Sequence, residues 1–195
     1  MNPVAPVTST LTGPPYHGID PEEFVVPPTR RHPNVVHADD VELVDDPHGV
    51  FAPRERYLSD AAGGKQLGCS LVELPPGKTA WPYHYHCANE EAIYVLEGTG
   101  TARIGDARIE IRAGDYLALP AGQAGAHQTI NTGTITLRYL CFSTRIATEV
   151  VGYPDSGKLG VRHYEALPDG SIRVVVRANF RDGDDVDYWT GEPLE

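Results

Sequence analysis

The feature that most constrains the fold is a series of short β-like runs between residues 67 and 145. Apolar or alternating runs occupy residues 69–74, 92–96, 101–104, 108–111, 115–119 and 134–143. Glycine or proline follows each of the first five within three residues, as in strands joined by tight turns. No segment with a convincing helical period lies among them. The spacing predicts an antiparallel β-sandwich or barrel.

The segments on either side of this region are less regular. Residues 1–33 hold eight of the 17 prolines, and proline interrupts helices and sheet ladders, so we expect an extended N-terminal arm. Residues 34–66 are expected to form a linker with edge strands near 35–37 and 41–44. Residues 146–195 form a predicted C-terminal extension, with a β-like run at 172–178 and an acidic tail. The length of 195 residues fits one domain with extensions.

Charge and cysteine content narrow the classes of partner and compartment. The formal net charge is -11, which disfavours binding to nucleic acid or to an anionic membrane. No apolar run is long enough to span a bilayer, and the N-terminus does not resemble a secretory signal. The three cysteines include no Cys-x-x-Cys pair, so no disulfide framework is expected. These features together predict a cytoplasmic protein.

A group of histidines and a carboxylate has the spacing of a metal site. His84 and His86 would share one face of a strand, Glu90 or Glu91 follows, and His127 comes later in the chain. Three imidazoles and one carboxylate suit one divalent transition metal ion, Fe, Mn, Ni, Co, Cu or Zn, rather than Ca or Mg. Strand alternation alone leaves both glutamates open as the carboxylate ligand. The alternative to a metal ligand is a histidine that has only hydrogen-bond partners. This is our interpretation of the histidines that have no spaced partner, which are His17, His32, His37, His48 and His163.

Two motifs in this region resemble those of the cupin superfamily. The first motif is matched by Gly77, the pair His84-Tyr-His86, then Glu91 and Gly98, with one residue more than the family pattern before His84. The second is matched by Gly114, Pro120-Ala-Gly122, His127 and Asn131, with two residues more before His127. Both departures fall in loops beside the expected site.

The resemblance implies an all-β fold, an antiparallel jelly-roll β-barrel whose core spans residues 67–145. The family's spacing from glutamate to glycine selects Glu91 over Glu90. The implied metal ligands are His84, His86, Glu91 and His127. The retained glutamate disfavours the three-histidine cupins, which include thiol dioxygenases. Cupin barrels often pair through sheet edges, so a homodimer is expected.

The functional hypothesis is a metal-dependent enzyme acting on a small polar or anionic molecule. Dioxygenase, isomerase, lyase and decarboxylase chemistries all occur on this fold, which does not choose between them. Trp81, Arg138 and Tyr139 are candidate substrate-pocket residues, and one of Arg138 and Tyr139 should point inward. The alternative is a binding module, such as a sensor, carrier or accessory subunit, that holds a small ligand without converting it. A structural protein with a vestigial barrel is a third hypothesis.

Overall fold

The computed structural model describes residues 32–168, 172–181 and 183–190, and it is built almost entirely from β-strands. The strands are β1 (Val44–Asp45), β2 (Arg54–Arg56), β3 (Leu67–Leu74), β4 (Tyr85–His86), β5 (Glu91–Glu97), β6 (Thr99–Ile104), β7 (Ala107–Arg112), β8 (Tyr116–Leu119), β9 (His127–Ile130), β10 (Leu137–Thr144), β11 (Thr148–Tyr153), β12 (Lys158–Ala166) and β13 (Ile172–Arg181). One short helix, α1 (Leu58–Ala61), and 3-10 turns at Ala38–Asp40, Gln123–Gly125 and Pro154–Ser156 complete the described elements. None of these helices is long and apolar enough to cross a membrane.

Two antiparallel sheets form a jelly roll. The larger sheet has the strand order β1-β2-β3-β10-β5-β8, and the smaller has the order β7-β6-β9. Strand β10 lies between β3 and β5 although it is remote from both in sequence, as crossing connections in a jelly roll require. Inward side chains of β3, β5 and β10, among them Val72, Val95 and Tyr139, are fully buried in the core.

The C-terminal extension adds a separate antiparallel sheet with the order β13-β12-β11-β4. Its innermost strand β11 pairs with β4, placing Val151 opposite His86 and Gly152 opposite Tyr85. A two-pronged ion pair joins the barrel to the turn after β11, with Arg103 Nη1 2.6 Å and Nη2 3.0 Å from the carboxylate of Asp155. The extension therefore packs against the barrel close to the histidine pair.

Each of the six runs predicted between residues 67 and 145 corresponds to a strand, namely β3, β5, β6, β7, β8 and β10 in chain order, and the run at 115–119 begins one residue before β8. The run at 134–143 begins later than predicted, at Leu137. The reason is Asn131, whose side-chain amide donates to the carbonyl of Ile135 while its oxygen accepts from Gly133 N–H. These bonds hold the preceding residues in a loop. The run at 172–178 is confirmed as part of β13.

Of the two predicted edge strands before residue 66, the first is wrong and the second is displaced. At 35–37 the chain leads into a 3-10 turn, because His37 Nδ1 accepts from the Asp39 N–H and caps it. The second strand begins at Val44 rather than at 41, and β2, with the polar sequence Arg-Glu-Arg, was not predicted. The proline-rich arm at 1–33 lies outside the described residues except for its last two positions.

Candidate metal centre

The four predicted ligands come from separate stretches of the barrel. His84 precedes β4 and His86 ends it, Glu91 begins β5, and His127 begins β9. His84 and His127 are joined by two backbone hydrogen bonds, with N···O distances of 3.1 Å from His84 N–H and 2.8 Å from His127 N–H. This bridge places both rings at one end of the barrel, facing the start of β5.

The side chains of these four residues converge on one another. The Nε2 atom of His127 lies 3.2 Å from one oxygen of Glu91, and Nε2 of His86 lies 3.5 Å from the other. The ring centroid of His84 is 4.6 Å from that of His127 and 5.2 Å from that of His86. Ligand atoms of His84, His86 and Glu91 all lie within 4.8 Å of one another. Glu90, the competing carboxylate, is exposed.

Two of the rings are held by backbone carbonyls on their far side. Nδ1 of His84 lies 2.8 Å from the carbonyl oxygen of Pro82, and Nδ1 of His127 lies 2.9 Å from that of Gly125. A carbonyl can only accept, so each Nδ1 carries the hydrogen and donates it. The lone pair is then on Nε2, which faces the cluster, and this is the tautomer that a metal ligand requires.

The third ring, His86, is oriented by a buried carboxylate. Its Nδ1 lies 3.5 Å from Glu149, a residue of β11 that is 1% exposed. The carboxylate of Glu149 also accepts from the backbone N–H groups of Cys87 and Ala88 at 3.0 Å, and from that of Asn89 at 2.8 Å. The side-chain amide of Asn89 donates to it as well. Glu149 is therefore fixed, and it fixes His86 in turn.

The electrostatics favour an ionised carboxylate at Glu91 and a neutral imidazole at His84. Burial and the neighbouring His127 lower the pKa of His84 to about 3. Burial alone would raise the pKa of Glu91, but the close approach of His127 and the charge of His86 lower it to about 2. Burial also lowers the pKa of His86, but the carboxylates of Glu149 and Glu91 raise it by more. The pKa of His86 therefore lies above its ordinary value.

The cluster opens into a cavity of about 320 Å³, a size suited to a small molecule. The barrel lines it with the four cluster residues and with Trp81, Glu55 and Tyr57, among others. The C-terminal sheet lines it with Val151, Tyr153, Lys158, Arg162 and Asn179. Trp81 thus lies where a pocket residue was predicted.

Arg138 and Tyr139 do not line this cavity. Tyr139 is the inward residue of the two, fully buried in the core. Arg138 points to the outer face, where Nη1 lies 3.3 Å from Glu97 and Nε lies 3.8 Å from Glu73. The prediction that Arg138 is a pocket residue is corrected, because its carboxylate partners lie on the opposite side of the sheet from the cluster.

Several cavity residues had no signal in the motifs. Glu55 is a single acid within a short strand, and Lys158 and Arg162 lie in the extension. Glu149, which holds His86 but does not line the cavity, was missed as well. A weak signal was available for Glu149, since it begins the run Glu149-Val-Val151 and an acid in an apolar strand often has a buried partner. For the others, the pairing of distant strands decides their position.

The fold and the cluster define a class: an antiparallel jelly roll with three histidines and a glutamate at one end. Residues 70–143 match the cupin domain family. A provisionally assigned sugar phosphate isomerase of Acidithiobacillus ferrooxidans is 30% identical, with a TM-score of 0.63 over 73% of this chain and 92% of its own. A cupin-superfamily sugar phosphate isomerase from Silicibacter pomeroyi is 25% identical, with a TM-score of 0.66 over 77% and 94% of the two chains. The chain belongs to the cupin family.

A curated relative from Methanocaldococcus jannaschii, described as an uncharacterized protein, is 33% identical over 60 residues. The match spans 31% of this chain and 46% of that protein, a little under half of its length. The description of that protein names neither a family nor an activity.

Proposed function

We propose that this protein is a metal-dependent cupin enzyme that acts on a small anionic molecule. In this proposal His84, His86, Glu91 and His127 hold one divalent transition metal ion. The observation that carries it is the shared orientation of His84 and His127, whose Nδ1 atoms donate to fixed carbonyls so that Nε2 faces Glu91. Both rings therefore carry the tautomer that a metal ligand requires.

The donor set fits a catalytic ion better than a structural one. Structural zinc sites are closed and rich in cysteine, whereas these four ligands are imidazole and carboxylate and they border an open cavity. An ion bound there would act as a Lewis acid that polarises an oxygen of the substrate. The protein groups around it would then bind and orient that substrate.

The cavity wall opposite the barrel supports an anionic substrate. Arg162 is 7% exposed, and its guanidinium donates to the carbonyl oxygens of Val161 and Ala178 and to the side chain of Asn179. Within the described part of the chain, no carboxylate forms an ion pair with it. Lys158 lies nearby, with Nζ 5.3 Å from the ring centroid of Tyr153. A buried cation without a carboxylate partner is stabilised by an anionic ligand.

Tyr153 connects this cationic wall to the cluster, since its ring stacks on His84 with centroids 6.2 Å apart. A ligand could therefore reach the metal with one end and the cations with the other. The two similar crystal structures are described as sugar phosphate isomerases, and a sugar phosphate has this division into a hydroxylated end and an anionic end. We propose a sugar phosphate or a similar anionic hydroxy-carbonyl compound as the substrate class.

The partner that we propose besides the substrate is a second copy of the chain. β13 lies at the edge of the C-terminal sheet and presents exposed Val174, Val176 and Phe180. A long apolar edge strand is suited to pairing with another strand, and the same strand of a second copy would give a symmetric dimer.

The test of the proposed function is metal content measured by elemental mass spectrometry on untagged protein. We expect a near-stoichiometric transition metal in the parent and a background level in His84→Ala. His37→Ala is the matched control, because that histidine is exposed. Absence of metal in the parent, even after reconstitution, would refute the proposed enzyme.

A further inference from the structure

Glu55 is a buried carboxyl group in the wall of the same cavity, on a strand that carries none of the proposed ligands. It lies on β2 and is 8% exposed. Its register places it opposite Val72 of β3, which in turn lies opposite Tyr139 of β10. Directly opposed residues share a face of the sheet, so Glu55 belongs to the inward row of the barrel.

Tyr57 holds this carboxyl group in place. Its hydroxyl donates to Oε2 of Glu55 at 2.9 Å, and both residues line the cavity. Tyr57 is itself buried at the start of α1. The phenol thus fixes the orientation of the carboxyl group relative to the cavity, as the positioning of a reacting group requires.

The surroundings of Glu55 keep its proton exchangeable near neutral pH. Burial raises the pKa of Glu55 to about 7, against the lowering effect of the Tyr57 hydrogen bond, and the charge of Glu91 adds to the rise. Burial is the main cause that raises the pKa values of Tyr139 and Cys141 on β10. The charges of Glu55 and Glu91 raise these pKa values further. These two groups therefore lie within electrostatic reach of both carboxylates and stay protonated.

We infer that Glu55 is the proton-transfer group of this enzyme, with Tyr57 as its positioning residue, and that the reaction moves a proton between adjacent carbons of an anionic hydroxy-carbonyl substrate. The inference rests on the proposed function and narrows it to an isomerisation. A group that exchanges its proton near the working pH is the most effective general acid or base. A metal site beside such a carboxyl group is suited to breaking a C–H bond next to a carbonyl.

The step balances without an oxidant or reductant. The carboxylate of Glu55 takes a proton from the carbon that bears a hydroxyl group next to the carbonyl. The electrons of the broken C–H bond form a carbon–carbon double bond, and those of the carbonyl π bond move to its oxygen. Glu55 then returns the proton to the former carbonyl carbon while the neighbouring hydroxyl proton leaves its oxygen for the other, so that atoms and electrons are conserved.

The experiment uses the full chain loaded with its metal, in D₂O, with fructose 6-phosphate and dihydroxyacetone phosphate as probes. Proton NMR follows replacement of the C–H hydrogens next to the carbonyl by deuterium. We expect exchange in the parent and a loss of about 100-fold or more in Glu55→Gln. The glutamine keeps an oxygen that accepts from Tyr57, so the fold is preserved. Glu42→Gln, at an exposed position, is the control.

Two further readouts separate a chemical role from a structural one. Metal content and the dissociation constant for the probes should be the same in Glu55→Gln and the parent, and Glu55→Asp should recover part of the exchange. Tyr57→Phe removes a hydrogen bond that lowers the pKa of Glu55, so the acid limb of the pH–rate profile should move to higher pH.

The outcomes are distinguishable. Exchange at the parent rate in Glu55→Gln, or no exchange of either probe by metal-loaded parent protein, would overturn the assignment of Glu55 and leave the metal site standing. A parent that takes up no metal would overturn the proposed function first, and with it this inference.

Discussion

Glu149 and His86 form a carboxylate–imidazole pair in which the ring lies between two acids. Nδ1 of His86 is 3.5 Å from Glu149, and Nε2 of the same ring is 3.5 Å from Glu91. Glu149 is held by three backbone N–H groups, so it cannot follow the ring if the ring moves. The pair therefore fixes the direction of one proposed ligand from a strand outside the barrel.

Glu149→Gln should weaken metal binding by about 10- to 100-fold, the usual effect of removing a carboxylate that orients a ligating histidine. An amide accepts more weakly than a carboxylate and presents an N–H group toward donors that need an acceptor. A competition titration with a chromophoric chelator measures the effect. Glu110→Gln on the exposed side of β7 is the control. Equal affinities in the two variants would show that Glu149 has no part in the site.

Gly125→Ala should also impair the site, through His127. A Cβ atom at Gly125 would lie 1.8 Å from the carbonyl oxygen of Pro120, so the turn Gln123–Gly125 must shift. The carbonyl of Gly125 that accepts from His127 Nδ1 would shift with it. We expect a lower metal stoichiometry after dialysis, measured as for the parent. Ala124→Ser, at an exposed position in the same turn, should retain the parent value, and a normal stoichiometry in Gly125→Ala would contradict the argument.

Glu55→Gln should stabilise the metal-free protein at high pH. The folded pKa of Glu55 is raised from 4.5 to about 7, so the folded state binds a proton more tightly than the unfolded chain. The free energy of unfolding of the parent should therefore fall as pH rises from 4.5 to 7, by about 3 kcal/mol at 1.36 kcal/mol per pKa unit. The glutamine variant does not lose this contribution.

Urea unfolding with chelator present, at pH 4.5 and at pH 8, measures this difference. The free energy of unfolding of Glu55→Gln minus that of the parent should become larger between pH 4.5 and pH 8. Other titrating groups, including Glu91 and the histidines, are common to both proteins and largely cancel. A gap that stays constant across this range would mean that Glu55 titrates as an ordinary carboxyl group.

The double substitution of Val174 and Val176 by lysine should convert the proposed dimer into a monomer. Lysine on an edge strand opposes addition of another strand because the charges must stay in water. Size-exclusion chromatography with light scattering gives the mass directly. Val186→Lys, at an exposed position beyond β13, should leave the mass unchanged. A parent that is already monomeric would disprove the proposed dimer.

Most strands of the barrel could be predicted because they are short, apolar and followed closely by a glycine or proline. β9 was not among the predicted runs. The histidine cluster could be predicted because its members have a fixed spacing in two motifs. Sequence alternation did not show whether Arg138 or Tyr139 points inward. Strand β10 alternates without interruption against β3, with Arg138 opposite Glu73 and Tyr139 opposite Val72. Which of its two faces turns to the core is decided by the neighbouring strands, and no local pattern marked it.

Glu55 and Glu149 illustrate what sequence reasoning could not reach. Glu55 lines the cavity because β2 pairs with β3, and Glu149 reaches His86 because β11 pairs with β4. Both pairings join segments that are distant along the chain. They depend on tertiary packing, and the two arginines that flank Glu55 resemble those of an ordinary surface strand. The same holds for Arg162, whose role depends on how the C-terminal sheet folds back.

The pairing of β4 with β11 also bears on how such a protein can change over evolution. The segment that matches the family ends at residue 143, yet His86 is hydrogen-bonded to a strand that begins at Thr148. A chain cut after β10 would keep all four proposed ligands and lose the backbone and the carboxylate that hold one of them. The structural unit of this site is therefore longer than the segment that matches the family, and a change in β11 would act on a ligand in β4.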